Sequence, residues 1–512
     1  MRRLLVVLGV PIDNLTMEEA LERCDAFIAA GRTSGHTHQI ATVNANFVVN
    51  SLLDPELRRI LQEADMTTAD GMPLVWASRL LGDPLPGRVT GVDLVPVLAA
   101  RAVERGYSIY FLGAREGVAA RAAAMLQRRY PGLKVAGVYS PPPASVLTMD
   151  RTVVERVRDA RPDILLVAFG NPKQEKWIRM YAPELQVPVC IGVGGALDMI
   201  AGTTRRAPLW MQQSGLEWIY RLAQEPRRLF KRYLHDCAYF SYFFARQWWA
   251  MHRGRAAHTL PSAVGHTPTL VETPAGGRLP VIAVRGRLDA ASSDQFLQCA
   301  RDSLERATSL VVNLAATEFV DSTGMGALVA TANHARAAGG SLYLVEVPHV
   351  IADLLALVQL EHFFEILPDS QAAEHRFHTP DVPAEPLLCK HGWAVIRAPR
   401  LFDGNTAPLL LEHCQQRIAE LHHLVVDLSE TVFLASAGIA TLIKLDRLCR
   451  EQGGHLYIAS SSANVLRTLR LLQLDVMLRV FPTVEAALAT SIDRPAPHDA
   501  DRKRASGATL AH

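Results

Sequence analysis

The chain has 512 residues, of which 49% are hydrophobic and 20% are charged, and its formal net charge at pH 7 is +2. This length predicts roughly three domains, and the composition is that of an ordinary globular protein. The seven cysteines show no CxxC spacing, which argues against a structural zinc site and favours a reducing compartment. No apolar run reaches the ~18–20 residues of a membrane-spanning helix, and the run near the N-terminus is too short for a signal peptide.

The near-zero net charge conceals a basic segment. Residues 204–255 contain ten Arg and Lys against three Asp and Glu, and aromatic residues are interleaved with them. Such a segment indicates a phosphate-rich partner surface.

The first 200 residues alternate short apolar runs with polar turns and amphipathic stretches. Residues 4–10 predict a first strand, and Thr16 with Glu19 predicts a capping box at the start of a helix that ends near Ala30. Further apolar runs predict strands at residues 39–43, 107–112, 134–138, 164–169 and 189–193. This repeated strand–turn–helix order is typical of an α/β domain with a mostly parallel sheet.

Polar residues and glycines follow several of these strands. Asn44 and Asn46 come directly after the strand at 39–43, and Asp70 also stands at a predicted strand end. The carboxyl ends of parallel strands open onto a ligand crevice. Glycines there either expose backbone N–H groups to a phosphate or only form tight turns. The spacing matches neither a Walker loop nor GxGxxG, so it names no nucleotide.

Eight motifs in this region are familiar as a set. They read, in order, TVNANF, ADGMPLV, RVTGVDL, FLGAREGVA, FGNPKQEKW, VGGALDMIAG, RRAPLW and GLEWIYRLAQEPRRLFKRY. Residues 4–235 thereby resemble the WecG/TagA/CpsF glycosyltransferase family. The resemblance implies a Rossmann-like parallel-sheet domain. It also implies transfer of an N-acetylmannosamine-type sugar, with inversion, from a UDP donor to GlcNAc carried on a polyprenyl diphosphate.

The resemblance also assigns site residues. Asp70 matches the family's proposed catalytic base, although a lone loop Asp is more often a cap or turn former. Pocket positions of the family fall on Thr42, Asn44, Arg88 and Gln174, and the substrate-binding glycines are Gly113, Gly194 and Gly195. An inverting transfer needs one carboxylate to accept the acceptor's proton and cationic or amide groups to hold the leaving diphosphate. Residues 1–250 contain no DxD motif, so we expect no metal and no cofactor.

The basic segment is expected to serve the acceptor. We predict helices at 217–225 and from Pro226, and the family's appendage implies contacts to the lipid diphosphate from Arg221, Arg227, Arg228 and Arg232. Guanidinium groups pair with phosphate in a bidentate way. Residues 239–249 hold seven aromatics flanked by cations, which favours a membrane–water interface. The alternative is a core helix packed on a neighbouring domain.

The second half of the chain is a repeat. Residues 310–345 align with residues 424–459 at an offset of 114, with 14 identities in 36 positions. Each copy predicts a small α/β fold of its own. The loop at 321–326, DSTGMG, and its surroundings resemble the STAS domain, the anti-sigma-factor-antagonist fold, and so does the second copy.

The STAS resemblance implies that a partner kinase phosphorylates Ser322. A Ser at a helix N-terminus is also an ordinary N-cap, and the two roles are compatible. The second copy retains Ser436 but has Ala435 in place of the Asp, which puts its phosphorylation in doubt.

We therefore expect six segments: a transferase domain with its appendage at 1–250, a linker at 251–277, a STAS domain at 278–368, a linker at 369–386, a second STAS domain at 387–490 and a disordered tail at 491–512. The expected protein is a bacterial glycosyltransferase of polysaccharide assembly, peripheral on the inner face of the cell membrane. Its expected partners are a UDP-sugar, a polyprenyl-diphosphate lipid, the membrane surface and a protein or kinase bound through the STAS domains, with no nucleic acid. One alternative is an idle transferase fold that acts as a STAS-based regulator, and another is a nucleotide-sensing Rossmann protein.

Overall fold

A computed structural model describes residues 1–257, 269–270, 279–377, 388–390, 393–471 and 474–492. The chain divides into two compact units, residues 1–378 and 379–512. The first unit holds both the N-terminal domain and the first copy of the repeat, and the second unit holds the second copy.

The N-terminal domain opens on an antiparallel hairpin of β1 (Leu4–Val7) and β2 (Val10–Asp13). We expected one strand over residues 4–10, and that expectation was wrong because Leu8 and Gly9 take positive φ angles and turn the chain. The predicted capping box of Thr16 and Glu19 is confirmed at the start of the first helix. The elements that follow are α1 (Met17–Ser34), β3 (His38–Val43), α2 (Ala45–Leu53), α3 (Pro55–Glu63), β4 (Met66–Ala69), α4 (Met72–Leu81), α5 (Gly91–Arg105), β5 (Ser108–Gly113), α6 (Val118–Arg129), β6 (Lys134–Tyr139), α7 (Thr152–Ala160), β7 (Ile164–Ala168), α8 (Lys173–Leu185), β8 (Val189–Gly192) and α9 (Ala196–Ile200).

Six of these strands form a parallel sheet in the order β4-β3-β8-β7-β5-β6. The central strands β7 and β8 are buried along their whole length, as their continuous apolar sequences predict. The register pairs Val43 with Ala69 and Ala41 with Gly192, so the strand ends are nearly level. The loops after β3, β4, β5, β7 and β8 therefore meet at one edge of the sheet. The expected Rossmann-like α/β fold is confirmed.

The basic segment folds into three helices, α10 (Leu209–Gln213), α11 (Glu217–Gln224) and α12 (Pro226–Ala257). Helix α12 continues seven residues into the expected linker at 251–277. Its aromatic stretch divides between two environments, because Phe240 and Phe244 are buried in the core whereas Tyr242 and Trp249 are 61% and 56% exposed. The core-helix alternative thus holds for one side of α12, and the membrane interface stays a prediction for the exposed side.

The first repeat comprises β9 (Thr269–Leu270), β10 (Val281–Ala283), β11 (Gly286–Leu288), α13 (Ser293–Leu304), β12 (Leu310–Asn313), β13 (Thr317–Val320), α14 (Ser322–Ala337), β14 (Leu342–Val345), α15 (His349–Leu357), β15 (Glu365–Leu367) and α16 (Ser370–Phe377). Its sheet has the order β15-β14-β12-β10-β9, and β11 pairs with β13 separately. Helix α16 occupies residues that we had expected to be linker. It packs on β12 and β14, and Ala373 is buried there with Tyr343 and Val345.

The second repeat comprises β16 (Leu388–Lys390), β17 (Trp393–Arg397), β18 (Leu401–Phe402), α17 (Ala407–Leu421), β19 (His423–Asp427), β20 (Phe433–Leu434), α18 (Ser436–Glu451), β21 (Leu456–Ala459), α19 (Ala463–Leu471), α20 (Leu474–Met477), β22 (Arg479–Phe481) and α21 (Val484–Ile492). Its sheet, in the order β16-β17-β19-β21-β22, has the topology of the first. The two repeats are therefore copies of one fold. Residues 493–512 of the expected tail lie outside the described residues, as do most of the expected linkers.

Candidate active site

Asp70 lies at the carboxyl edge of the sheet, directly after β4. Its backbone N–H donates to the carbonyl oxygen of Val43 at 2.6 Å, which ties it to the end of β3. The N–H of Val89 donates to the carbonyl oxygen of Ala69 at 3.0 Å and so places Arg88 beside Asp70. The structure thus brings together two site residues that are 18 positions apart in the sequence.

The carboxyl group of Asp70 is partly exposed but largely surrounded by protein. Burial raises its pKa to about 7, and the nearby Glu217 carboxylate adds to the rise. The guanidinium groups of Arg221 and Arg88 oppose this rise, and Asp93 reinforces it. A carboxyl with a pKa near neutrality can accept a proton and release it again, which is what a general base requires.

Glu217 connects the basic segment to this site. It stands at the start of α11, and its Oε2 lies 3.3 Å from an Arg88 guanidinium nitrogen. Its Oε1 lies 3.7 Å from Arg206, which also donates to both carboxylate oxygens of Asp93 at 2.6 and 2.7 Å. Sequence reasoning missed Glu217 because only folding places α11 against the loop that carries Arg88. The motif GLEWIYRL was the signal available.

Gln174 joins two loops of the site. Its Oε1 accepts the backbone N–H groups of Gly170 and Gly194, both at 3.1 Å, and its Nε2 donates to Glu175 at 2.7 Å. Glu175 in turn accepts a hydrogen bond from Asn171 at 3.0 Å. Gln174 is only 1% exposed, so in this structure it fixes the shape of the loops after β7 and β8. We had not singled out Glu175, although it follows Gln174 in the same motif.

Thr42 and Asn44 lie at the end of β3. Thr42 is buried and donates to the carbonyl oxygen of Gly192 at 3.1 Å, which links β3 to β8. Asn44 is the N-cap of α2, and its Oδ1 accepts the N–H groups of Asn46 and Phe47. Asn44 also borders the Asp70 loop, since a β-carbon on Gly71 would lie 3.7 Å from that of Asn44.

The three glycines lie at the same edge. Gly113 ends β5 with φ +96° and lies so close to β7 that a β-carbon would meet the carbonyl oxygen of Ala168 at 2.8 Å. Gly194 donates its N–H to Gln174, and a β-carbon on Gly195 would lie 3.8 Å from an Arg221 guanidinium nitrogen. The backbone at Gly195 and the Arg221 side chain therefore lie close together at the loop after β8.

A different cluster lies at the opposite edge of the sheet. His36, His38 and Asp65 have ligand atoms within 4.8 Å of one another, and His38 begins β3. Since Asp70 follows the carboxyl ends of β3 and β4, this cluster takes no part in the site.

A family model and curated relatives match this architecture. The model of the glycosyl transferase WecG/TagA/CpsF family matches residues 5–254. An N-acetylglucosaminyldiphosphoundecaprenol N-acetyl-beta-D-mannosaminyltransferase of Staphylococcus aureus (strain MW2) is 32% identical over 223 residues, which are 44% of this chain and 85% of that relative. The enzyme of the same name from strain NCTC 8325 / PS 47 matches to the same extent. The chain belongs to the WecG/TagA/CpsF glycosyltransferase family. It is a glycosyltransferase with STAS domains, since the STAS model matches residues 271–373 and 387–487.

Among solved structures, a putative anti-sigma factor antagonist of Thermotoga maritima matches a part of the chain. It is 16% identical, covers 21% of this chain and 92% of its own, and has a TM-score of 0.20. The STAS assignment rests on the family model and not on this resemblance.

The arginines of the basic segment differ in their position relative to Asp70. Arg221 lies partly buried beside Gly195 and Asp70, whereas Arg227 and Arg232 are exposed on α12. The side chain of Arg228 lies outside the described residues. Arg232 stacks on Tyr233, with its guanidinium carbon 5.2 Å from the ring centroid. The tail thus has one arginine beside Asp70 and others further along α12.

The two STAS serines lie in different surroundings. Ser322 is the first residue of α14 and is 1% exposed, and the N-cap is Asp321, whose side chain accepts from the N–H groups of Thr323 and Gly324. The suggestion that Ser322 itself caps the helix was therefore wrong. In the second domain Ala435 occupies the cap position without a side-chain bond, and Ser436 is partly exposed.

Proposed function

We propose that this glycosyltransferase moves an N-acetylmannosamine-type sugar from a UDP donor to GlcNAc on a polyprenyl diphosphate, with inversion and with Asp70 as general base. The observation that carries the proposal is the Asp70 carboxyl, with a pKa near 7, at the carboxyl edge of the sheet and within the electrostatic reach of Arg88 and Arg221. The names of the relatives support the sugar and the acceptor.

The reaction requires one proton to move. Asp70 accepts the proton of the acceptor GlcNAc hydroxyl as that oxygen attacks the anomeric carbon of the donor. The bond from the anomeric carbon to the diphosphate oxygen breaks, and UDP leaves with the electron pair. Glu217 keeps the proton affinity of Asp70 high enough for this transfer, because a second carboxylate nearby disfavours ionisation.

The chain also offers groups for the charge of the leaving UDP. Arg221 approaches the loop of Gly194 and Gly195, and Arg88 faces Glu217 with a contact of 3.3 Å that a diphosphate can replace. Fixed cationic groups aimed at developing charge stabilise a transition state without reorganising. We assign Thr42, Asn44, Gln174 and Gly113 to shaping the donor pocket, since their polar atoms bind loops of the site.

The basic segment offers a surface for a lipid-linked acceptor. Exposed apolar side chains lie on α10, α11 and the start of α12, and they include Leu209, Trp210, Phe230 and Leu234. An open groove of about 660 Å³ is lined by Ile219, Leu222, Ala223, Pro226, Arg227, Phe230 and Lys231. Apolar side chains beside cations are suited to the interface of an anionic membrane. We find no helix in the described part of the chain with the length and hydrophobicity of a membrane span.

The STAS domains are proposed to regulate the transferase or to recruit a partner protein. The alternative function, an idle transferase fold that serves as a STAS-based regulator, predicts no turnover. The concentration of charged groups around Asp70 favours the enzyme, because a scaffold has no physical need for Asp70, Arg88, Arg221 and Glu217 together at one edge of the sheet.

The test uses the purified full chain, UDP-N-acetylmannosamine and a GlcNAc-diphosphate-lipid analogue. Mass spectrometry should show a lipid product heavier by one N-acetylhexosamine, and UDP should be released in equal amount. UDP-N-acetylglucosamine serves as the matched donor control and should give less product. No product from either donor, with a folded protein, would favour the regulatory alternative.

A further inference from the structure

Helix α14 of the first STAS domain is buried on all sides over most of its length. Every residue from Ser322 to Ala332 is buried. Its own sheet covers one side of such a helix, so a second element must cover the other. That element is the transferase domain of the same chain, because α14 packs against strand β1 and both belong to one continuous apolar core.

Two glycines allow this close approach. A β-carbon on Gly326 of α14 would lie 1.9 Å from the carbonyl oxygen of Leu4 in β1. A β-carbon on Gly9, in the β1–β2 turn, would lie 2.2 Å from the carbonyl oxygen of Val358, just after α15. Any larger side chain at either position would push the two domains apart. Each domain thus contributes one glycine to the contact.

Gln247 of α12 is the central polar group of this contact, and it is fully buried. Its Oε1 accepts the N–H of Leu8 at 2.8 Å. Its Nε2 donates to the carbonyl oxygen of Val6 at 3.0 Å and to the Ser322 hydroxyl at 3.2 Å. The Gln247 side chain therefore joins the β1–β2 hairpin, helix α12 and the first STAS domain.

Further polar contacts surround the apolar centre. Thr323 donates to Asp83 at 3.2 Å, and Asn333 donates to the carbonyl oxygen of Gln62 at 2.7 Å. Arg336 lies 3.8 Å from the buried carboxylate of Glu63. Buried polar groups that find their partners across a contact specify one arrangement of the two surfaces.

The second repeat provides an internal comparison, because its α18 corresponds to α14 at the offset of 114. Gly326, Ala330 and Asn333 correspond to Ala440, Lys444 and Arg447. Lys444 and Arg447 are exposed, and the buried residues of α18 form a stripe along one face. Only the first copy has small and neutral residues on the side that meets β1. The difference lies in the sequence as well as in the structure.

We propose that the α14 surface of the first STAS domain is a docking surface whose partner is the transferase domain of its own chain. This docking holds α12 in place at the acceptor side, which is the surface of α10, α11 and the start of α12 proposed above for the lipid-linked acceptor. Helix α12 runs unbroken from Pro226 to Ala257, and it carries Gln247 at the contact and Arg232 on the acceptor side. Between them, Asp236 accepts from Asn46 at 3.0 and 3.2 Å, which fixes the helix at the start of α2 beside Asn44. Loss of the contact at Gln247 should therefore loosen the acceptor side.

The test is amide hydrogen exchange on the full chain with Gly326→Leu, and with Ala440→Leu as the matched control in the second repeat. Gly326→Leu should speed exchange about tenfold or more at Leu8 and along α12. Exchange in β7, at the centre of the transferase sheet, should stay unchanged. Ala440→Leu should leave β1 and α12 as in the wild type.

A second variant covers the case in which Gly326→Leu disturbs folding. Ser322→Asp is a smaller change that places a negative charge in the contact, beside the Thr323–Asp83 pair, and it should give the same local pattern. Unchanged exchange at Leu8 and α12 in both variants would overturn the proposal. So would accelerated exchange in β7 in both variants, because the first STAS domain would then be an inseparable part of the transferase core.

The effect on the acceptor side rests on the proposed function and is measured separately. Both variants should raise the KM for the lipid acceptor about tenfold, the size of an ordinary coupling between sites, and leave donor affinity unchanged. An unchanged acceptor KM, in variants that show the exchange pattern, would overturn the link to α12. If the wild type transfers no sugar, the proposed function fails, and the exchange result still decides the docking.

Discussion

Replacing Asp70 by Asn is expected to stabilise the fold at alkaline pH and to remove turnover. The pKa of Asp70 is raised from 3.8 to about 7, chiefly by burial and then by Glu217. The folded state therefore binds this proton more tightly than the unfolded chain. The resulting stability is fully present below the unfolded pKa and is lost as the pH rises through about 7. Asn keeps the shape of the side chain and never ionises.

The magnitude follows from the shift. A rise from 3.8 to about 7 is about three pKa units, and at about 1.4 kcal/mol per unit the ionised carboxylate costs the folded state up to about 4 kcal/mol. Asp70 is partly exposed, so solvent screening makes this value an upper limit. Between about pH 5 and about pH 8, the advantage of Asp70→Asn should grow by up to about 2–3 kcal/mol.

Amide hydrogen exchange in β3 and β7 measures the stability gain of Asp70→Asn for the transferase domain alone. The two proteins are compared at each pH, so the intrinsic pH dependence of exchange cancels. Asp159→Asn, at a site whose side chain is 72% exposed, is the matched control and should show no such trend. A stability difference between wild type and Asp70→Asn that does not change with pH, or that shrinks as pH rises, would refute the raised pKa.

In the wild type, kcat/KM should fall about tenfold per pH unit below about 7.

Three further variants test other parts of the site. Glu217→Gln removes the carboxylate that raises the pKa of Asp70, so the acidic limb of the kcat/KM profile should move to lower pH; an unmoved limb would contradict the assignment. Gln174→Ala removes the hydrogen bonds that join the loops after β7 and β8, which should destabilise the fold by about 1–3 kcal/mol and raise the donor KM about tenfold. An unchanged KM in a donor titration would contradict this prediction. Arg232→Ala should raise the KM for the lipid acceptor about fivefold, whereas Arg246→Ala, on the same helix, should not; equal effects would argue against an acceptor role for Arg232.

The sheet and the position of Asp70 were predictable because their signals are local. Continuous apolar runs mark the buried central strands β7 and β8, and the polar turn at Asp70 and Gly71 ahead of a helix marks a strand end in the repeated strand–turn–helix order. The capping box of Thr16 and Glu19 is equally local, since both side chains act within one helical turn. Such features need no knowledge of distant parts of the chain.

The contacts around Asp70 could not be predicted in the same way. Glu217 is 147 residues away in the sequence, and only the packing of α11 brings it beside Arg88. Burial of Gln174 likewise depends on two loops that close over it. A motif identifies such residues without saying whether they touch a ligand or hold the loops that do.

The limits of the first STAS domain were misjudged for a different reason. The prediction ends the first STAS domain at residue 368, although the offset of 114 aligns residues 370–376 with residues 484–490 of the predicted second domain. The structure has a helix at both places. The repeat itself thus predicts α16 at the position that corresponds to α21. The sequence left open whether α12 faces a membrane or a core, because its packing partners α2 and α4 lie more than 140 residues earlier in the chain.

The most direct test of the account is single-turnover sugar transfer by the wild type and by Asp70→Asn at about pH 8, with donor binding measured on the same preparations. If Asp70 is the general base, the variant should transfer about 100- to 10,000-fold more slowly while it binds the UDP-sugar as tightly as the wild type. Transfer within about tenfold of the wild type would show that another group takes the proton. Loss of donor binding would instead place Asp70 among the groups that hold the donor.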